Sequence, residues 1–172
     1  MASLLHVAVG LAGARALAGR PALGPALLGV GLSLLPDADV IAFAFGVPYA
    51  DPLGHRGASH SLAFAVGMGV LVGAVAAARR SGGLRWGLGA AALVASHPLL
   101  DALTDGGLGV ALFWPWDSAR HFAPWRPIPV APIGPGMLSA RGAAVLLAEF
   151  LPSLPLLLAG LWPGRTAAAP KA

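Results

Sequence analysis

Apolar residues run through this chain in long stretches, and the polar residues come in short islands between them. Five stretches have helical length: 3–18, 22–35, 61–78, 84–103 and 141–162. The first is rich in Ala, Gly and Leu, the second stops at Pro36, and the third has 18 residues without a charge. A bilayer span needs about 20 apolar residues, or roughly 17 at the short end. The third, fourth and fifth stretches meet that length. The second has 14 residues, so it either ends inside a membrane or continues as a broken helix. A short apolar run at 40–47 follows it and is broken by Pro48 and Pro52. Residues 104–140 are rich in Gly and Pro and hold Trp114, Trp116 and Trp125. They read as an ordered but irregular loop at the headgroup level, where Trp concentrates. The pattern predicts an all-α integral membrane bundle of about five helices with an irregular interfacial loop.

Composition supports that reading. The chain of 172 residues is 57% hydrophobic and only 10% charged, with a mean hydropathy of +0.77; soluble domains carry roughly 25% charge. One transmembrane domain over 1–162 and a flexible tail over 163–172 are expected. The start has no basic region and Arg15 interrupts it early, so no cleaved signal peptide is expected. The absence of Cys excludes thiolate zinc sites, iron–sulfur clusters and disulfides. The net charge of +4 comes from basic residues that are scattered or sit at the ends of apolar runs. They read as topology signals, with membrane lipids as the surroundings and no nucleic-acid partner.

The densest basic turn, 79–85, belongs in the cytoplasm by the positive-inside rule. Alternation of the segments then puts seven basic residues inside (15, 20, 79, 80, 85, 165 and 171) and four outside (56, 120, 126 and 141). His6, Asp37, Asp39, His55, His60, His97 and Asp101 fall together on the outer side, although they were not used to orient the chain.

The islands carry the candidate chemistry. In His-Pro-Leu-Leu-Asp (97–101), His97 and Asp101 stand at i and i+4 on one helix face, where they either share a cation or stitch helices together. His-Arg-Gly-Ala-Ser-His (55–60) ends where the third helix begins, with Ser59 or Ser61 as its cap. Arg56 would neutralise an anionic group such as phosphate, or pair with an Asp. In Leu-Pro-Asp-Ala-Asp (35–39), two close carboxylates repel each other unless a cation bridges them, the plain alternative being an Asx-capped turn. His6 is a further candidate ligand. Glu149, two turns into the fifth stretch, is a ligand, a general base or a packing partner. Thr104 and Asp105 could support Asp101, while Asp117, Arg120 and His121 look less committed.

In this order the islands resemble the membrane-bound metal-dependent hydrolases, also described as LexA-binding, inner-membrane-associated hydrolases. The matching elements are His6, Leu-Pro-Asp-Ala-Asp, His-Arg-Gly-Ala-Ser-His-Ser, His-Pro-Leu-Leu-Asp-Ala-Leu-Thr, Phe-Trp-Pro at 113–115 and Pro-Trp-Arg-Pro-Ile-Pro at 124–129. They cover about residues 6 to 152. Ser59 stands where the family usually has Thr, and His121 where it tends to have Tyr, which argues against His121 as a ligand. The order of His and Asp is also similar to that of zinc-dependent phospholipase C.

The resemblance implies an inner-membrane metal-dependent hydrolase; the mixed His/carboxylate set suits zinc or else manganese, and the charge bias puts the site at the extracytoplasmic face. The expected ligands are His6, Asp37 and/or Asp39, His55 and/or His60, His97 and Asp101, enough for two metals. Asp37, Asp39 or Glu149 would take a proton, and Arg56 would stabilise developing negative charge. A phosphoester of a lipid or lipid-linked molecule is the expected substrate. The competing expectation is a non-enzymatic carrier or scaffold that uses His/Asp pairs for metal or protons. The lack of two related halves with broken helices lowers it.

Overall fold

The computed structural model describes residues 3–162. The expected tail at 163–172 lies outside the described residues, as do two of the seven basic residues counted inside, Arg165 and Lys171. The five expected helices form: α1 (Ser3–Ala18), α2 (Leu23–Leu34), α3 (Leu62–Ala78), α4 (Gly83–Ala102) and α5 (Ala140–Leu161). Among the described residues there is no strand, only two isolated bridges, Thr104 with Ile128 and Val110 with His121. Residues 103–139 are otherwise irregular apart from one 3-10 turn (Gly134–Leu138).

The second segment does not stop at Pro36. It continues from Leu34 as a 3-10 helix (Leu35–Phe45) until Gly46 ends it at φ 75°. Pro36 stands in the first turn of that continuation, where its missing N–H is not needed. The joined helix, Leu23–Phe45, and α5 are long and apolar enough to cross a membrane. α1 and α3 are shorter apolar helices. α4 has 20 residues, but Arg85, His97 and Asp101 leave it less apolar than its length suggested.

α1 packs against α2 and α5, α3 against α4, and α4 also meets α1 and α2. Leu32, Ala65, Ala90, Leu93 and Val94 form the main apolar core. The α3–α4 hairpin is a close approach of small residues. A Cβ on Gly69 would lie 2.7 Å from the Ala91 Cβ, and one on Gly87 would lie 2.9 Å from the Gly69 carbonyl. Spacing of small residues every four positions allows such backbone contact. Large apolar side chains point away from the bundle on α2 to α5, among them Leu27, Val70, Leu88 and Leu151. Buried polar side chains gather at one end instead, where α1 and α3 begin and α2 and α4 finish.

A candidate metal centre

Four segments deliver side chains to that end. The 3-10 continuation of α2 carries Asp37 and Asp39. The loop before α3 carries His55 and Arg56, and a short 3-10 turn (Ala58–His60) presents His60. The Ser61 hydroxyl accepts from the Phe64 amide at 3.0 Å and starts α3, so His60 is fixed one residue outside the helix. His97 and Asp101 share a face of the last turns of α4.

The ligand-type atoms of Asp37, His60, His97 and Asp101 lie within 4.8 Å of one another. Asp37 Oδ1 is 3.3 Å from His97 Nε2 and 3.6 Å from His60 Nε2. Asp101 Oδ2 is 3.6 Å from His60 Nε2 and 3.9 Å from His97 Nε2. Four ligands bonded tetrahedrally at about 2.0–2.2 Å stand roughly 3.3–3.6 Å apart. The set is therefore close to the spacing one small cation demands. Asp37 Oδ1, His60 Nε2 and His97 Nε2 are buried and make no well-formed hydrogen bond among the described residues. Buried polar atoms without partners are costly, and a cation would satisfy these together.

Supporting contacts fix the imidazoles. His97 Nδ1–H donates to the Ser33 carbonyl at 2.7 Å, which turns the Nε2 lone pair toward Asp37 and Asp101. His60 Nδ1 lies 3.1 Å from Asp39 Oδ2, so its Nε2 faces the same point. A ring N–H given to a carbonyl or carboxylate is the usual arrangement behind a metal-bound histidine. Asp39 is already engaged: it accepts from His55 Nδ1 at 2.7 Å, the Arg56 amide at 3.1 Å and the Ser59 hydroxyl at 2.6 Å. A carboxylate saturated in this way orients ligands.

Electrostatics point the same way. Three carboxylates (Asp37, Asp39 and Asp101) meet the guanidinium of Arg56, whose Nε lies 2.8 Å from Asp101 Oδ2, with that of Arg120 bonded to the His55 carbonyl at the edge. The surplus of negative charge is what a divalent cation neutralises. Burial alone pushes the His60 imidazole down. The carboxylates of Asp101, Asp37 and Asp39 outweigh it and raise the group to about 10. His60 therefore holds a proton where a cation would otherwise sit.

A family model described as YdjM inner membrane protein matches residues 1–166. The chain belongs to the YdjM inner membrane protein family. It is 42% identical over 154 residues to inner membrane protein YbcI of Escherichia coli (strain K12), covering 84% of this chain and 87% of that protein. No solved structure matches. Family and relative both carry inner-membrane names, and this chain is an inner-membrane protein.

The remaining candidates of this YdjM-family protein are arranged around the four. His6 stacks on His97 with ring centroids 3.8 Å apart, and its Nε2 lies 3.4 Å from the His97 carbonyl, so it backs the cluster from outside. The described residues form no second ligand group that includes His6. Asp39, His55 and His60 do converge, but through the hydrogen bonds just given. Arg56 is fully buried, with backbone at φ 62°, and its Nη1 donates to the Gly106 carbonyl at 3.0 Å. Glu149 accepts from the Leu4 and Leu5 amides at 2.7 and 3.2 Å, tying α5 to the start of α1. Thr104 donates to the Asp101 carbonyl at 2.7 Å, while Asp105 accepts from the Val130 amide. Asp117 and His121 are more exposed, at the margin.

The sequence missed one contributor and underrated another, Arg120. The Ser33 carbonyl orients His97, and a lone Ser one turn before Asp37 in an apolar run was the available signal. Arg120 donates to the carbonyls of His55, Tyr49 and Asp51 at 2.9, 3.0 and 3.1 Å, bracing the His55 loop. Nothing local in the sequence announces that contact.

Proposed function

We propose that this protein is a membrane-embedded metal-dependent hydrolase acting on a phosphoester of a lipid or lipid-linked substrate. The observation that carries the reading is the convergence of the ligand-type atoms of Asp37, His60, His97 and Asp101 within 4.8 Å of one another. Two imidazoles and two carboxylates suit zinc, or else manganese, better than magnesium. A divalent ion there would supply Lewis acidity and make water acidic near neutral pH.

The protein's own residues would do the rest. Arg56 holds Asp101 in place and brings a buried positive charge beside the reacting region, suited to an anionic ester. Asp39 and Ser33 fix the two imidazoles. Asp37 is the least buried of the four, with 14% of its side chain exposed, so approach is from its side. If it gave up its place on the ion to water, it would be the residue best placed to take the water's proton. The outward apolar faces of α2 to α5 support a bundle lying wholly within the bilayer, with the centre near one surface. Trp116 and Trp125 are exposed in the loop at that end, as indoles at the headgroup level would be. A substrate embedded in the bilayer then reaches the site sideways. The arginine-rich far end favours the cytoplasm, which would turn the centre to the extracytoplasmic face.

The test is turnover. Purified protein loaded with zinc or manganese is assayed against vesicles carrying phospholipid and lipid-linked phosphoesters, alongside His97→Ala and Asp37→Asn. Hydrolysis lost in both variants supports the reading. Loaded protein with no turnover of any phosphoester would remove it in favour of a metal carrier or scaffold.

A further inference from the structure

The opposite end of the bundle has its own polar character. Arg15, Arg20, Arg79, Arg80 and Arg85 lie there, at the finish of α1, the α1–α2 link, the α3–α4 turn and the start of α4. Every described Asp and Glu belongs to the other end or, like Glu149, to the segment near it. The positive charge is uncompensated among the described residues.

Beside it a cleft of about 320 Å³ opens between α1, α2 and α5. Leu11, Leu23, Ala26 and Leu161 give it apolar walls, and Arg15 and Arg20 are the charged residues in its lining. Arg15 Nη1 is shielded from solvent and has no hydrogen-bond partner among the described residues. The neighbouring Arg85 differs, since its Nη2 donates to the Ala16 carbonyl at 3.1 Å and braces α4 on α1. Trp162, adjoining Leu161, is 63% exposed, as an indole at the headgroup level would be.

We propose that this cleft is a binding site for an anionic membrane phospholipid, with the phosphate between Arg15 and Arg20 and an acyl chain against the apolar wall. Each half of the cleft matches one half of that ligand. A free anion has no use for the apolar wall, and a zwitterionic lipid leaves the arginine surplus unanswered. Basic pockets between membrane helices hold acidic headgroups by this combination. The site is separate from the metal centre and does not depend on its chemistry.

Native mass spectrometry of the full chain in detergent tests it, with dioleoyl phosphatidylglycerol, dioleoyl phosphatidylcholine and inorganic phosphate as probes. One phosphatidylglycerol should bind roughly tenfold or more tightly than phosphatidylcholine, given about one decade per basic contact at most. Arg15→Gln with Arg20→Gln should bring the two lipids to parity, and Arg79→Gln with Arg80→Gln should leave the preference intact. Arg20 is exposed, so Arg20→Gln alone is expected to fold and should lose part of the preference. Parity in the parent protein, or a preference that follows Arg79 and Arg80, would overturn the proposal. Displacement of the lipid by millimolar phosphate would also overturn it, leaving a simple anion site.

Discussion

At the residue scale, the four convergent groups and the residues behind them should separate by experiment. His60, His97, Asp37 and Asp101 stand at ligand spacing, whereas Asp39 spends its oxygens on His55, Arg56, Ser59 and His60. Asp39→Asn should therefore weaken zinc binding by about 10- to 100-fold without abolishing it. Competition with a chromophoric chelator would measure this. His97→Ala should remove binding altogether, and equal losses in the two variants would make Asp39 a ligand. The proton on His60 gives a second expectation. With the group raised to about 10, the metal-free site is protonated at pH 7, and a cation must displace that proton. Zinc affinity should rise with pH by up to about tenfold per unit between pH 7 and 10. Calorimetry in buffers of different ionisation enthalpy should show proton release at pH 7.

These residues also show how far the sequence could be read. His97 and Asp101 were legible because i and i+4 share a helix face whatever the tertiary fold. The choice between Asp37 and Asp39, and between His55 and His60, was not. It depends on which oxygens Ser59 and the Arg56 amide occupy, contacts that exist only once the loop folds back on the 3-10 helix. Glu149 read as a ligand, a base or a packing partner, because a carboxylate in an apolar helix needs a partner. It accepts from the Leu4 and Leu5 amides across the bundle.

At the element scale, the α3–α4 hairpin holds His60 and His97 together from behind. It depends on backbone contact at Gly69, where an added Cβ would meet the Ala91 Cβ at 2.7 Å and the Gly87 carbonyl at 2.8 Å. Gly69→Ala should destabilise the protein by about 1–3 kcal/mol, the usual cost of overpacking. Gly67, on the same helix, has nothing within 4 Å of an added Cβ. Gly67→Ala should leave stability unchanged or raise it by up to about 1 kcal/mol through helix propensity. Thermal unfolding in detergent, followed by circular dichroism, compares the two. The helices themselves were visible as apolar runs, because helix length and hydropathy are local properties. The continuation of α2 stayed open between an early end and a broken helix, since Pro36 reads as a stop but is tolerated at the start of a new helical segment.

At the scale of the whole molecule, the chain is divided by charge: acids and histidines at one end, five arginines at the other. In the proposed arrangement a bilayer across the bundle puts the two ends on opposite faces. The chain has no native cysteine, so single cysteines report side directly. Ser81→Cys should react with an impermeant maleimide only after the inner face is opened, and Ser118→Cys in intact spheroplasts. Reaction of both from one side would remove the transmembrane arrangement.

The central assignment is the four-ligand centre, and bound metal measures it most directly. Protein purified in detergent, reloaded with zinc or manganese and desalted, is analysed by inductively coupled plasma mass spectrometry beside a His97→Ala, Asp101→Ala double variant. A single centre of Asp37, His60, His97 and Asp101 predicts about one equivalent in the parent and none in the variant. No metal in the reloaded parent, or equal metal in both, would contradict it.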